Sequence, residues 1–215
     1  MSSIYVHHRL NCEPRRWLDV ANQVINLNYF ALADNETALY GVWRSQIGLP
    51  RDTLTIISVW PDAEIAKKMS AQIGFEMKMV KTVESHIMAP TVRPKVIHRP
   101  EKQGNYAFRW FQTPVESFDE FLNLCTDAWP GFESSYDSQI IGLWKIENNG
   151  NNVTTLLLTR RPNLAMWERS KIPSGSVELN VRRKLNRRYD LCDWTTVYTT
   201  TLLTASDHID KTQWS

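Results

Sequence analysis

Cysteine is scarce and scattered. The three residues, Cys12, Cys125 and Cys192, stand far apart and match no metal-ligand spacing, which excludes a disulfide frame and points to reduced thiols in a reducing compartment. No apolar run approaches the roughly 20 residues that span a bilayer, and the N-terminus MSSIYVHHRL has no apolar signal core. A cytoplasmic chain that does not enter a membrane is therefore expected, and the sequons at Asn35 and Asn152 are read as chance. A charge excess is also missing: 25 basic against 23 acidic residues leave +2, too weak a field to draw nucleic acid. There is no phosphate loop, no nucleophile motif and no pair of carboxylates at usable spacing. The five histidines, His7, His8, His86, His98 and His208, form no metal-ligand cluster, since His7 and His8, adjacent on a strand, point to opposite faces. No metal or cofactor is called for, although a single axial histidine is enough for haem.

What the chain does have is a repeat. Gly41-Val-Trp43 and Gly142-Leu-Trp144 are separated by 101 positions. The same shift, without a gap, sets Tyr5 on Tyr106, Trp17 on Phe118, Thr53 on Thr154 and Pro61 on Pro162. Core character follows: Val20 meets Phe121, Val24 meets Cys125, and Ile56-Ile57 meets Leu157-Leu158. With 215 residues, 42% of them hydrophobic, the chain can hold two small domains.

Each copy reads in the same order. The runs 4–10 and 105–111 are first strands, each followed by a proline turn at Pro14 or Pro114. Trp17, Val20, Ala21, Val24 and Leu27 recur at helical steps, as do Phe118, Phe121, Leu122, Leu124 and Cys125. Two strands joined by the turn residues 48–52, or 148–152, make a hairpin. Pro61 and Pro162 each open a second helix. Last strands are expected at Val83–Ala89 and Trp194–Leu203, the latter after an added basic helix at 178–188. The fold class is α+β: two tandem β-α-β-β-α-β, ferredoxin-like repeats, at residues 1–89 and 105–205, with a proline-rich linker at 90–104 and a tail at 206–215.

A four-stranded sheet with helices on one face needs cover on the other, and two such sheets in one chain can close into an intrachain pseudo-dimeric α/β barrel. Three segments make this specific. Tyr106-Ala-Phe-Arg-Trp-Phe111 resembles the first strand of the NIPSNAP-like proteins of the dimeric α/β-barrel superfamily. Gly41-Val-Trp-Arg-Ser-Gln-Ile-Gly48 followed by TLTIISVW resembles their Gly-x-Trp hairpin, and Ala165-Met-Trp-Glu-Arg169 is similar to their second helix. The copies also depart from that pattern: the first has His8 where the second has the family-like Arg109, with Lys67 and Lys68 instead of an arginine-rich second helix. The second has Asn149 in place of Gly48. The resemblance implies a small-molecule ligand inside the barrel, with cofactor-independent monooxygenase-type chemistry on aromatic compounds in some relatives and haem in others. Whether this chain is an enzyme stays open.

Strand alternation sets Tyr106, Phe108 and Trp110 on one side and Ala107, Arg109 and Phe111 on the other. If Phe108 packs on the helices, Arg109 and His8 point into the barrel, where they would act as catalytic groups or polar anchors for an acidic or carbonyl-bearing ligand. The alternative is an Arg109 paired with an internal carboxylate and a His8 that is merely hydrogen-bonded. Trp43, Trp144 and Phe111 could wall the pocket, but residues shared by both copies also suit a packing role. Their glycines make room for a close neighbour or a bulge. The run Arg182–Arg188 is read as a solvated helix face behind an apolar edge of Val177, Val181, Leu185 and Tyr189, with an anion or partner surface as the alternative. A second reading is an interaction protein that uses this helix or sheet edges, through which two copies could also pair.

Overall fold

In the computed structural model, which describes residues 3–26, 30, 38–146 and 150–207 and, within these, all side chains but those of 74–76, the period-two runs are strands and the period-3.6 runs helices. The first repeat comprises β1 (Ile4–Cys12), α1 (Trp17–Asn26), β2 (Leu39–Ile47), β3 (Thr53–Trp60), α2 (Ala63–Glu76) and β4 (Val80–Arg93). The second comprises β5 (Asn105–Pro114), α3 (Phe118–Ser135), β6 (Gln139–Ile146), β7 (Asn152–Arg161), α4 (Leu164–Arg169), α5 (Ser176–Asp190) and β8 (Trp194–Leu202). The fold is α+β, with the two ferredoxin-like repeats expected. Its antiparallel strand order is closed, β1-β3-β2-β8-β5-β7-β6-β4, so the eight strands keep no free edge of the kind invoked for pairing two copies. None of the described helices is long and apolar enough to cross a membrane.

Two compact units are seen, one of residues 1–90, 97–103 and 198–215, the other of 91–96 and 104–197. Their limits fall inside β4 and β8 rather than at the ends of the repeats. Pro90 continues β4, and the rest of the expected linker is shared between the units. Leu27, Asn35, His208, Asn149 and most of the tail lie outside the described residues, as does part of the second hairpin turn.

Local chemistry explains the helix starts. Asp62 accepts a hydrogen bond from Ile65 N (2.8 Å) and Asn163 from Met166 N (2.9 Å), N-caps in matching places of the two copies. Pro61 and Pro162 therefore precede the caps instead of occupying the first helical turn. In α1, Trp17, Val20, Ala21 and Val24 are buried, and in α3, Phe121, Cys125, Ala128, Trp129 and Phe132. Those stripes cover the sheets. Gly131 lets α5 approach α3 closely, because a Cβ there would come within 2.7 Å of Val181 Cγ2.

The twin Gly-x-Trp motifs are packing units. Each indole folds back over the glycine two residues before it: a Cβ on Gly41 would reach 2.5 Å from Trp43 Cη2, and one on Gly142 would overlap Trp144. The pairing register also slips at the same place in both copies, between Leu39 and Gly41 and between Ile140 and Gly142. Trp43 and Trp144 are both 0% exposed.

The faces of the first strands are the reverse of those expected. Phe111 packs on Phe121 of α3 with ring centroids 5.1 Å apart and belongs to the core beneath α3 and α5, so the Ala107, Arg109 and Phe111 side faces the helices. Likewise Val6 and Leu10 belong to the core under α1 and α2, and His8 lies with them. Both sides of β5 carry large apolar groups, and alternation separates the sides without saying which one the helices cover.

Candidate functional site

The 101-residue shift that aligns the copies also shows where they part. On the helix side of the first sheet, His8 Nδ1 lies 2.8 Å from Ser85 Oγ and Nε2 lies 3.2 Å from Ser58 Oγ, while Trp60 Nε1 donates to the same Ser58 hydroxyl (2.8 Å). At the matching places of the second copy stand Arg109, Thr159 and Arg161. There Arg161 Nη1 donates to Thr159 Oγ1 (3.1 Å). An imidazole and an indole have become two guanidiniums on the same pleat of the sheet.

These guanidiniums line a cavity of about 220 Å³ between the second sheet and its helices. Ala107, Arg109 and Phe111 of β5 and Leu157, Thr159 and Arg161 of β7 form its floor. α5 supplies Arg182, Leu185 and Arg188 as a wall, with Tyr189 at the rim, and α3 supplies Trp129 and Phe132. Trp167, Ser170 and Lys171 close it from α4 and the turn after it. Five lining residues are cationic, Arg109, Arg161, Lys171, Arg182 and Arg188, and none is acidic.

Why do five cations share so small a space without a counter-ion? Four carboxylates of this unit are engaged elsewhere. Glu178 accepts from Arg169 Nη2 (2.8 and 2.9 Å) and from Ser174 N (2.6 Å), which fixes the turn carrying Lys171. Glu120 takes Arg187, Asp127 faces Lys184, and Glu133 takes Arg93. The inner arginines lean on softer partners. Arg188 lies over Phe111 (4.8 Å) and Phe121 (5.8 Å) and donates to Cys125 Sγ (3.5 Å), and Arg161 lies over Phe132 (5.2 Å). Such cation–π contacts recover only part of the lost hydration. The Nε groups of both Arg161 and Arg188 are buried with no hydrogen-bond acceptor among the described residues.

The electrostatics carry the mark of this arrangement. Burial, and then the charge of Arg188, bring Arg109 down to about 10. Burial, and then Arg109, bring Arg161 to about 10. Lys171 is brought to about 8 by burial and by Arg109, Arg161, Arg182 and Arg188 together. All remain charged at neutral pH, repelling one another. A pocket in this state attracts an anion, because a bound anion removes the repulsion among the cations and accepts charge-assisted hydrogen bonds from them.

Of the residues singled out in the sequence, Arg109 and Phe111 come together in this cavity; His8, Trp43 and Trp144 do not line it. His8 is fully buried with both ring nitrogens near serine hydroxyls, and burial, then His86, hold it at about 3, so it is neutral. On the other face of β1, His7 Nε2 lies 2.8 Å from Tyr198 Oη, and Arg9 stacks over the Tyr198 ring at 5.3 Å. Burial first, then Arg9, hold His7 well below the usual imidazole range. Among the described residues no group of histidine, cysteine and carboxylate side chains is set to hold a metal ion.

Sequence reasoning missed Arg161, Trp167 and Lys171, and it preferred a solvated face to an anion surface for the run that holds Arg182 and Arg188. The basic helix is not a uniformly solvated face: Arg188 is 8% exposed, whereas Val177 and Tyr189, read as its apolar edge, are 59% and 60% exposed. Stepping from Val181 by four to Leu185 and by three more to Arg188 stays on one helical stripe, and that stripe, not the one ending at Tyr189, faces the core. The other available signal was the pair of differences at 8/109 and 60/161.

No family model matches the chain, and no curated protein does. Solved structures are similar over nearly the whole length. An anthrone oxidase-like protein matches at 11% identity and a TM-score of 0.63, covering 94% of this chain and 92% of its own. A candidate monooxygenase from Fusobacterium nucleatum matches at 10% and 0.61, covering 94% and 93%. A haem-binding protein from Thermus thermophilus matches at 10% and 0.59, covering 94% and 91%. At these identities the likeness establishes the fold, the tandem ferredoxin-like arrangement of dimeric α/β-barrel proteins. A haem does not suit the cavity described above. Its 220 Å³ falls below the roughly 300–1,000 Å³ of drug-sized ligand pockets, too small for a porphyrin. No histidine, cysteine or methionine lines it, and Tyr189, the one side chain there of a type that ligates haem iron, sits at the exposed rim.

Proposed function

We propose that this chain binds a small organic anion with an aromatic or apolar body in the helix-side cavity of its second repeat. The observation that carries the reading is the set of five cations, without an acidic residue, around one cavity. Arg109, Arg161 and Arg188 would hold the anionic group, and Trp129, Phe132 and Trp167 would enclose the rest of the ligand. Ligand sites commonly combine mostly apolar walls with a few placed polar groups. The NIPSNAP-like assignment, which rests on the strand, hairpin and helix motifs, belongs to this proposal, as does a cytoplasmic location. So does monooxygenase-type chemistry without a cofactor. What such chemistry asks of the protein is stabilisation of a substrate anion in an enclosed site, and the guanidiniums would supply it.

Isothermal titration with benzoate, phenyl phosphate and the neutral benzyl alcohol tests the reading. The expected result is one site for at least one of the anions, no binding of the alcohol, and loss of anion binding by more than roughly tenfold in Arg109→Gln. Equal binding of the alcohol, or an unchanged affinity in a folded Arg109→Gln, would overturn it.

A further inference from the structure

Building on the anion-binding reading, and resting on it, we infer that the ligand of this cavity is a phosphomonoester, a tetrahedral dianion on a small aromatic or apolar body. Charge is the first reason. Three inner guanidiniums and two rim cations, Lys171 and Arg182, face one another with no carboxylate among the lining residues. A monocarboxylate would leave most of that repulsion in place. A phosphomonoester, whose second ionisation lies near pH 6, brings close to two charges at neutral pH in one group.

Direction is the second. Arg109 and Arg161 rise from neighbouring strands of the floor, whereas Arg188 comes down from α5 on the opposite wall. A carboxylate offers two oxygens whose acceptor directions lie in one plane, which suits one bidentate guanidinium. Three terminal oxygens in tetrahedral array can receive donors from the floor and from the wall together. The Nε groups of Arg161 and Arg188 are buried without acceptors among the described residues, so the remaining N–H groups of these guanidiniums are the donors that such a group would meet. Thr159 also lines the cavity; its hydroxyl accepts from Arg161 and keeps a proton of the kind that completes many phosphate sites.

Size limits the rest of the ligand. A cavity of about 220 Å³ holds a phosphate and a single ring but not a nucleotide. Trp167, Trp129 and Phe132 give that ring apolar faces to pack on.

The experiment is isothermal titration of the whole chain with phenyl phosphate, phthalate and benzoate at about pH 5 and about pH 7.5, repeated in Arg188→Gln and Arg188→Lys. Phenyl phosphate is expected to bind tightest, and its affinity should rise roughly tenfold between the two pH values as its second proton leaves. Benzoate, ionised throughout, should show no such rise. Arg188→Gln should cost phenyl phosphate more than roughly tenfold, and Arg188→Lys, which keeps the charge but loses the fork, should recover part of it. If benzoate or phthalate binds as tightly as phenyl phosphate, or phenyl phosphate affinity is flat with pH, the phosphate inference fails while anion binding stands. If none of the three binds the folded chain, both readings fail.

Discussion

Replacing Arg109 by leucine should make the ligand-free chain more stable. The Arg109 guanidinium, held at about 10 against its ordinary 12.5 by burial and by Arg188, is disfavoured in the folded chain by about 3 kcal/mol, at about 1.4 kcal/mol for each pH unit. Leucine keeps most of the apolar stem beside Ala107 and Phe111 and removes the charge from a cavity that has four other cations. Replacing buried charges by apolar groups of similar volume often gains about 1–4 kcal/mol, and some loss of packing lowers the net here to about 1–3 kcal/mol. For a chain of this length each kcal/mol moves the melting temperature by roughly 2–4 °C, so a rise of roughly 2–12 °C is expected. Thermal unfolding followed by tryptophan fluorescence, in buffer free of phosphate and sulfate, measures it. A fall in melting temperature would refute the reasoning, because Arg109 would then be a structural residue with a compensating partner. The same variant should lose anion binding. Stability gained as binding is lost is the signature of a residue kept for a ligand rather than for the fold.

Gly41→Ala should cost about 1–3 kcal/mol, since the new Cβ would sit 2.5 Å from Trp43 Cη2 in a closely packed core. On a Trp43→Leu background the same change should cost much less, and additive penalties in urea denaturation would show that the two do not touch. His8, at about 3 when folded and ordinarily 6.5 when unfolded, gives the unfolded chain the extra proton between these values. Stability should therefore fall as pH drops through that window, by at most about 1.4 kcal/mol per unit from this residue. His8→Gln should shallow that acid limb, with His7 and the lowered carboxyls of Glu120 and Glu178 contributing to the remainder. Lys171, at about 8 against 10.5, works at the alkaline side by the same rule: between about 8 and 10.5 it leaves the unfolded chain with the extra proton and contributes a rise of stability with pH, against the fall contributed by the buried thiols of Cys12, Cys125 and Cys192, which burial pushes up. Lys171→Met should make the slope of stability with pH less positive in that window in pH-dependent melting, and an unchanged slope would exclude a contribution from Lys171.

The architecture was legible because duplication writes itself as a fixed offset, and each match at that offset is a separate check on strand, helix and turn. The caps Asp62 and Asn163, the slipped registers at Gly41 and Gly142, and the indoles laid over them all obey it. The cavity was much less legible. Arg109 and Phe111 stood out on β5, but both faces of that strand are apolar enough to be buried, so polarity gave no direction and the faces were assigned in reverse. Arg161 shares its strand end with Arg160, and sequence does not tell which of two adjacent arginines turns inward. Arg188 was hidden in a run of cations, most of which do face water. Arginine on an apolar stripe reads as surface unless the helix phase is known to within one residue. The differences between copies held the information: where the first repeat puts His8 and Trp60, the second puts Arg109 and Arg161.

Whether the helix-side cavity is the binding site can be decided by a crystal structure of the chain soaked with phenyl phosphate. Density for the phosphate should appear against Arg109, Arg161 and Arg188, with the ring toward Trp167. Density on the opposite face of the sheets beside Trp43 or Trp144, or none in the cavity at saturating ligand, would show that these arginines do not form the site.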